Sequence, residues 1–103
     1  MLSRREKIEA MLADEPGDVF LRYSLALELA KEDRHDDSLA RLTELTEGEP
    51  PYVPAFFMAG KQLAELGRID KAREVLRAGI ETARQQGDTH AAAEMSEMLA
   101  SGL

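Results

Sequence analysis

Apolar residues recur along this chain every three or four positions, which is the spacing of amphipathic helices. Polar turns containing glycine, proline or aspartate separate the apolar stretches, and no stretch alternates apolar and polar residues as a half-buried strand does. The pattern therefore predicts an all-α protein of six helices. These run over residues 3–14, 18–31, 36–47, 54–66, 70–86 and 89–101.

Particular residues mark where these helices begin and end. Ser3 and Glu6 form a capping box, in which each side chain satisfies a backbone N–H at the helix start. Pro16 followed by Gly17 stops the first helix. Pro54 is predicted at the first position of the fourth helix, where its missing N–H costs nothing. Gly87 provides a C-terminal stop for the fifth helix.

The helices repeat in pairs. Pro16 and Pro50 lie 34 residues apart, and many other residues have a similar partner at the same distance. The matches fall on apolar faces and in turns alike, which disfavours the alternative of an ordinary helical bundle with accidental spacing. The pairs are Ala26 with Gly60, Leu29 with Leu63, Ala30 with Ala64, Arg34 with Arg68, Asp36 with Asp70, Ser38 with Ala72, and Leu42 with Leu76.

A two-helix unit that repeats every 34 residues resembles the tetratricopeptide repeat. That pattern has a large residue, a leucine and a small residue in the first helix, then a turn glycine, then a small and a large residue in the second. The first unit departs from it, because Arg22 stands where Phe56 stands one unit later and Asp33 replaces the turn glycine. The second unit matches with Phe56, Ala59, Gly60, Leu63, Gly67, Ala72, Leu76 and Gly79.

The resemblance implies antiparallel helix pairs stacked as a short right-handed superhelix. Phe56, Leu63, Leu76 and Ile80 are expected in its core. A single domain over residues 1–103 is expected. It divides into an N-terminal lone helix at 3–15, a first repeat at 18–50, a second repeat at 52–86 and a C-terminal capping helix at 88–103.

The last helix is out of register with the repeat. An offset of 34 residues would place Glu94 and Glu97 in the core. We therefore expect a slip of two residues, which brings Met95, Ser96 and Leu99 inward instead. The small residue at the crossing of each helix pair lets the two helices approach closely, and a larger side chain would overpack the contact by about 1–3 kcal/mol.

Composition and charge exclude several classes of function. The 103 residues suit one domain, and 44% of them are hydrophobic, which suffices for a core. The net charge of −7 disfavours nucleic acid and anionic membrane surfaces, because both attract basic patches. No cysteine is present for a disulfide or a thiolate metal site, and no segment approaches the roughly 18 apolar residues of a membrane span. We expect a cytoplasmic protein.

Candidate catalytic and metal-binding residues are few. His35 and His90 lie in different helical units, and no serine stands in a nucleophile-elbow context. Residues 33–37 lack the spacing of a calcium loop and are interpreted as a solvated turn. Glu94 and Glu97 share a helical face with His90, a pattern more typical of surface contacts than of a metal site. The sequence therefore predicts no enzyme, no metal and no cofactor.

Peptide binding is implied by the resemblance alone. In tetratricopeptide arrays the first helices of successive units line a concave groove that receives a peptide or a partner helix. The carboxylate clamp of chaperone-binding members is absent, since its positions are occupied by Tyr23, Leu27, Met58, His90 and Glu94. An apolar strip with one lysine beside it remains. The predicted peptide-binding groove consists of Phe20, Tyr23, Leu27, Phe57, Met58 and Lys61.

Two functions compete for this strip. An adaptor would use it to bind an apolar peptide or helix of another protein. The alternative is a self-associating structural protein, such as a homodimer, with no separate ligand. A further alternative is that neighbouring first helices or the last helix bury the strip inside the chain itself. For an adaptor, we expect a partner with apolar anchors flanked by basic groups, which the net charge of −7 would attract.

Overall fold

The computed structural model describes all 103 residues and contains six α-helices and no strand. This confirms the all-α prediction, and each helix begins and ends within one residue of its predicted range. The molecule is an elongated slab with extents of 43 × 29 × 18 Å. The helices are α1 (Arg4–Asp14), α2 (Val19–Lys31), α3 (His35–Thr46), α4 (Val53–Glu65), α5 (Ile69–Gln85) and α6 (Thr89–Ala100).

The predicted capping box closes the start of α1. The backbone N–H of Glu6 donates to the Ser3 hydroxyl oxygen at 3.1 Å, and the backbone N–H of Ser3 donates to the Glu6 carboxylate at 2.9 Å. The bond from the Ser3 backbone lowers the pKa of Glu6, because it stabilises the charged carboxylate. At α4 the prediction is wrong by one position. Val53 begins that helix and Pro54 is its second residue, where an N–H would still lack a helical partner.

The turn inside each helix pair repeats with the same geometry. Asp33 and Gly67 both adopt left-handed backbone, with φ of 60° and 78°. Aspartate therefore replaces the turn glycine of the first unit without changing the turn. The residue after each of them donates its backbone N–H to a leucine carbonyl at 2.9 Å, Arg34 to Leu29 and Arg68 to Leu63.

Three clusters of buried apolar side chains follow one another along the stack. One joins α1 to α2, the next joins α2, α3 and α4, and the last joins α4, α5 and α6. The predicted core residues Phe56, Leu63, Leu76 and Ile80 are all buried. Each helix packs mainly on its neighbours in the chain, which is the nearest-neighbour architecture of helical repeats.

Two glycines let adjacent helices touch. A Cβ atom on Gly60 of α4 would lie 2.5 Å from Cδ2 of Leu76 in α5. A Cβ atom on Gly79 of α5 would lie 2.6 Å from both Phe56 and Met95. A carbon atom this close to another carbon or to the Met95 sulfur would overlap with it, so neither position has room for a side chain. The predicted crossing of the fourth and fifth helices at Gly60 is confirmed.

The slip of two residues in the last helix is also confirmed. Met95 of α6 is buried and Ser96 and Leu99 are half-buried, whereas Glu94 and Glu97 are exposed. Two differences account for the slip: α5 is five residues longer than α3, and the connection after α5 is three residues shorter than the connection after α3. As a result, α6 turns its apolar face towards α4 and α5 and its two glutamates towards solvent.

A buried polar bridge fixes α4 against the first helix pair. The Ser38 hydroxyl donates to the carbonyl oxygen of Ala26 at 2.6 Å. The side-chain amide of Gln62 donates to the carbonyl oxygen of His35 at 3.2 Å, and its own oxygen lies 3.3 Å from the Ser38 hydroxyl. Buried polar groups that are satisfied in this way favour a single arrangement of the helices. The bridge therefore sets the position of α4 relative to α2.

Candidate protein-binding groove

The first helices of successive units, α2 and α4, leave a cavity of about 270 Å³ between them. Its floor is apolar, and two lysines and a glutamate stand at its rim. We term it the lysine cavity. Its lining includes Leu27, Ala30, Lys31, Met58, Lys61 and Glu65.

A second cavity, of about 240 Å³, lies where the starts of α4 and α6 meet the middle of α2. Aromatic and apolar side chains from α2 and α4 line one side, and acidic groups at the start of α6 line the other. We term it the acidic cavity. One of these acids, Asp88, also caps α6 by accepting a hydrogen bond from the backbone N–H of Ala91 at 3.0 Å. The lining includes Tyr23, Pro54, Phe57, Asp88, His90 and Glu94.

The two cavities adjoin and form one groove. Leu27 lies one helical turn after Tyr23 on α2, and Met58 follows Phe57 on α4. Each of these two helices thus contributes at least one apolar or aromatic side chain to each cavity. With Lys61 on the rim, the structure brings together five of the six residues that the sequence predicts for the groove.

The apolar groove residues are half-buried. Tyr23, Phe57 and Met58 pack their inner sides on the core clusters and line the groove with their outer sides. The ring of Tyr23 meets that of Tyr52 edge to face, with centroids 5.4 Å apart. Burial, and then the neighbouring Tyr52, raises the pKa of Tyr23. Core packing therefore holds these side chains in place. The helix α6 lines one side of the groove and leaves it uncovered.

Phe20 does not join the groove. It is 67% exposed and lines a separate cavity between α1 and α2, beside Ile8 and Met11. The reason is its position in the first turn of α2, seven residues before Leu27 and about 10 Å away along the helix axis. The cavity that Phe20 lines is formed with residues of α1 and contains no residue of α4. The placement of Phe20 in the groove is therefore corrected.

The charged groups of the groove differ in how far they are already paired. Lys31 forms an ion pair with Glu28 at 3.3 Å. Lys61 is exposed, and no acidic group of the chain lies within ion-pair distance of it. On the acidic side, Glu94 lies 3.3 Å from Nε2 of His90, and both side chains are exposed. The groove thus carries charge that a partner can still contact.

The two histidines lie apart, each beside one acidic side chain. His90 contacts only the exposed Glu94. His35 has a buried Nδ1 atom without a hydrogen-bond partner, and its Nε2 lies 3.6 Å from Asp33. No three histidine, aspartate or glutamate side chains come together as metal ligands. No helix combines the length and the apolar character needed to cross a bilayer.

Sequence reasoning missed two residues that shape the groove. Asp88 lines the acidic cavity and caps α6, and its position directly after the helix stop at Gly87 is a signal that could have found it. Gln62 lines the lysine cavity and forms the buried bridge to α3. No local signal distinguishes it from an ordinary exposed helical glutamine.

Comparisons with solved structures agree with this fold, although no protein-family model matches the chain. A tetratricopeptide repeat domain protein from Salinibacter ruber is 38% identical. Its solution structure aligns with a TM-score of 0.77 over 85% of this chain and 91% of that chain, and a crystal structure aligns with 0.69 over 78% and 90%. A protein from Bordetella parapertussis is 29% identical, with a TM-score of 0.81 over 97% of this chain and 87% of that chain.

Among curated proteins, anaphase-promoting complex subunit 3 of Dictyostelium discoideum is 28% identical over 67 residues. The match covers 65% of this chain and 7% of that protein, so the chain spans only a small part of the length of this relative. Stacked helix pairs whose first helices frame a groove define a helical-repeat protein. The chain belongs to the tetratricopeptide repeat family. Its role lies, in general terms, in protein interaction or scaffolding.

Proposed function

We propose that this protein is an adaptor that binds an apolar peptide or helix of another protein in the groove. One observation carries the proposal: Tyr23, Leu27, Phe57 and Met58 come from two successive first helices, line adjoining cavities and keep their outer sides uncovered. Covering apolar surface of this kind stabilises a complex by roughly 25 cal/mol per Å² removed from water, before the costs of association.

The size of the two cavities indicates what they would hold. Sites for small molecules usually have volumes of about 300–1,000 Å³, and the groove cavities, at about 270 and 240 Å³, are smaller. Such cavities suit single large side chains of a partner. Anchors of this kind, set in pockets on a helical surface, are a recurrent mode of peptide recognition.

The proposed role requires no reaction. Binding in the groove uses apolar contact and charge, without a metal, a cofactor or a nucleophile. The net charge of −7 favours a protein partner over nucleic acid or an anionic membrane, because phosphate groups would be repelled. The function proposed is therefore that of a non-enzymatic adaptor.

A Tyr23→Lys, Phe57→Lys double variant is expected to lose its partner. Both aromatic rings line the acidic cavity, and truncating one central anchor of an interface costs about 2 kcal/mol or more. The affinity should therefore fall by more than about tenfold. The measurement is affinity capture from host lysate with wild type and variant, followed by titration of the captured protein.

The matched control is Ala40→Lys, Ala78→Lys, which places the same two charges at exposed positions of α3 and α5. This variant should capture the same proteins as wild type, and thermal unfolding should show that both variants fold. If the folded groove variant still captures every wild-type partner, the proposal is wrong. Loss of binding in the control alone would place the interaction on the outer helices.

Self-association is the second candidate, and exposed apolar side chains at the N-terminal end of the stack favour it. Phe20 is 67% exposed and Met11 is 48% exposed, and they line one cavity of about 220 Å³. A second copy of the chain would remove these side chains from water. Light scattering after size exclusion separates the candidates, since a free adaptor is monomeric and a self-associating protein is not.

A further inference from the structure

Opposite charges stand at the two ends of the groove. The lysine cavity carries Lys31 and Lys61 with one acid, Glu65. The acidic cavity carries Asp88 and Glu94 and no lysine or arginine. Each cavity also has one histidine on its lining. Lys31 is already paired with Glu28, so Lys61 is the unpaired positive charge at this end of a chain whose net charge is −7.

The apolar centre of the groove lies between these two charged ends. Tyr23 and Lys31 are eight residues apart on α2, which is about 12 Å along a helix axis. Tyr23 and Leu27, which belong to different cavities, are about 6 Å apart along the same axis. Alternate side chains of an extended segment are about 6.6 Å apart and share one face. An extended segment would therefore place two such side chains in the two cavities.

We propose that the partner segment is bipolar. An acidic residue of the partner lies against Lys31 and Lys61, two apolar anchors fill the cavities, and a basic residue of the partner lies against Asp88 and Glu94. This inference rests on the proposed function of the groove and adds the chemistry and the orientation of its occupant. Tyr23 and Lys31 bracket the apolar centre on α2, and an extended segment covers the 12 Å between them in about four residues. The acid and the base should therefore stand on opposite sides of the two anchors.

Complementary charge supports this occupant over a uniformly basic one. Lys61 is exposed and without an internal ion pair, so a basic residue beside it would meet repulsion. Glu94 is 49% exposed at its side chain, and His90 is its one ion-pair partner within the chain, so it can form a further ion pair with a basic residue of a partner. Opposed potentials across an interface select partners and fix their orientation. From the net charge alone, basic groups are expected on both sides of the partner's apolar anchors. The charges of the groove favour a basic group on one side only, next to Asp88 and Glu94.

The test begins with a random library of linear peptides displayed on phage and selected on the immobilised wild-type protein. The selected peptides should share an acidic residue, two apolar residues and a basic residue in a constant order. A synthetic peptide with the selected order and a second peptide with the acid and the base exchanged are then titrated. The first should bind about tenfold more tightly at low salt, as expected for two partly exposed ion pairs, and the difference should shrink as salt is raised.

The decisive variant is Lys61→Glu combined with Glu94→Lys. This exchange inverts one charge at each end of the groove and leaves the net charge of the chain at −7, so long-range attraction stays the same. The variant should prefer the peptide with exchanged ends. An Arg41→Glu variant, altered at an exposed site of α3, should keep the wild-type preference.

The possible results distinguish this inference from the proposed function. Suppose that the selected peptides no longer bind the Tyr23→Lys, Phe57→Lys variant, so that they depend on the groove. If these peptides then show no constant order of charges, or if the exchange variant does not reverse their preference, the bipolar partner is wrong and the adaptor function stands. If no peptide depends on the groove, the proposed function fails as well. If light scattering shows a dimer and no peptide is selected on the groove, the groove is the contact with a second copy of the chain. That result would overturn both the bipolar partner and the adaptor function.

Discussion

Replacing Gly60 by leucine is expected to lower the free energy of unfolding by about 1–3 kcal/mol. A Cβ atom at this position would lie 2.5 Å from Cδ2 and 2.6 Å from Cγ of Leu76. Leu76 is completely buried and cannot move aside without disturbing the core between α4, α5 and α6. For a domain of this size, each kcal/mol corresponds to about 4–8 °C in Tm. Thermal unfolding followed by circular dichroism measures the change.

Gly17→Leu is the control for this substitution. No atom lies within 4 Å of a Cβ at Gly17, so the change should stay within about 0.5 kcal/mol. Adding Leu76→Ala to Gly60→Leu should also cost less than the sum of the two single changes, because the new side chain can use the space that Leu76 leaves. An unchanged melting temperature for Gly60→Leu would show that α4 and α5 do not cross at this point.

Leu42→Ala is expected to destabilise the protein by about 2–5 kcal/mol. The side chain is fully buried in the cluster that joins α2, α3 and α4. Removing it leaves a cavity in the centre of the stack, where the neighbouring helices are held by Ser38 and Gln62 and cannot easily collapse. Because small domains are stable by only about 5–15 kcal/mol, this is a large share of the total.

Chemical denaturation compares Leu42→Ala with Met11→Ala, which removes a side chain that is 48% exposed at the end of the stack. Met11→Ala should lower the free energy of unfolding by well under half as much as Leu42→Ala does. Equal losses in the two variants would contradict a core that is centred on the helix pairs. Retained cooperativity of unfolding in both variants would show that the repeats unfold as one unit.

The helices and the repeat could be predicted because their signals are local or periodic. The capping box of Ser3 and Glu6 depends on residues three apart, and it forms as predicted. The turn at Asp33 has the same geometry as the turn at Gly67 because both residues tolerate left-handed backbone. The register of α6 could be predicted because burying a charge is costly. The register that would place Glu94 in the core is therefore excluded.

The surroundings of the groove residues could not be predicted in the same way. Phe20 lies two turns before Leu27 on the same helix, yet its neighbours belong to α1. Periodicity gives the direction of a side chain and leaves open which helix lies opposite. The half-burial of Tyr23 depends on Tyr52, which stands in the connection between α3 and α4 and outside any helical pattern. Such contacts arise from the stacked fold.

The charged ends of the groove illustrate the same limit. Lys61 and Glu94 were both visible as groove positions of the repeat, but the sequence alone did not show that they belong to different cavities. Their separation depends on the shift of α6, which follows from the length of α5 together with the short connection between α5 and α6. The opposition of charges is thus a property of the assembled stack, and it determines the orientation proposed for the partner.

Mapping of a bound peptide onto the protein by NMR tests the central claim most directly. Amide and side-chain signals of the labelled protein are followed while a peptide selected on wild-type protein is added. The groove account predicts that the largest shifts, and contacts to the peptide, fall on Tyr23, Leu27, Phe57 and Met58, with little change at Ala40 and Ala78. Shifts concentrated on the outer helices α3 and α5, with the four groove residues unaffected, would contradict it.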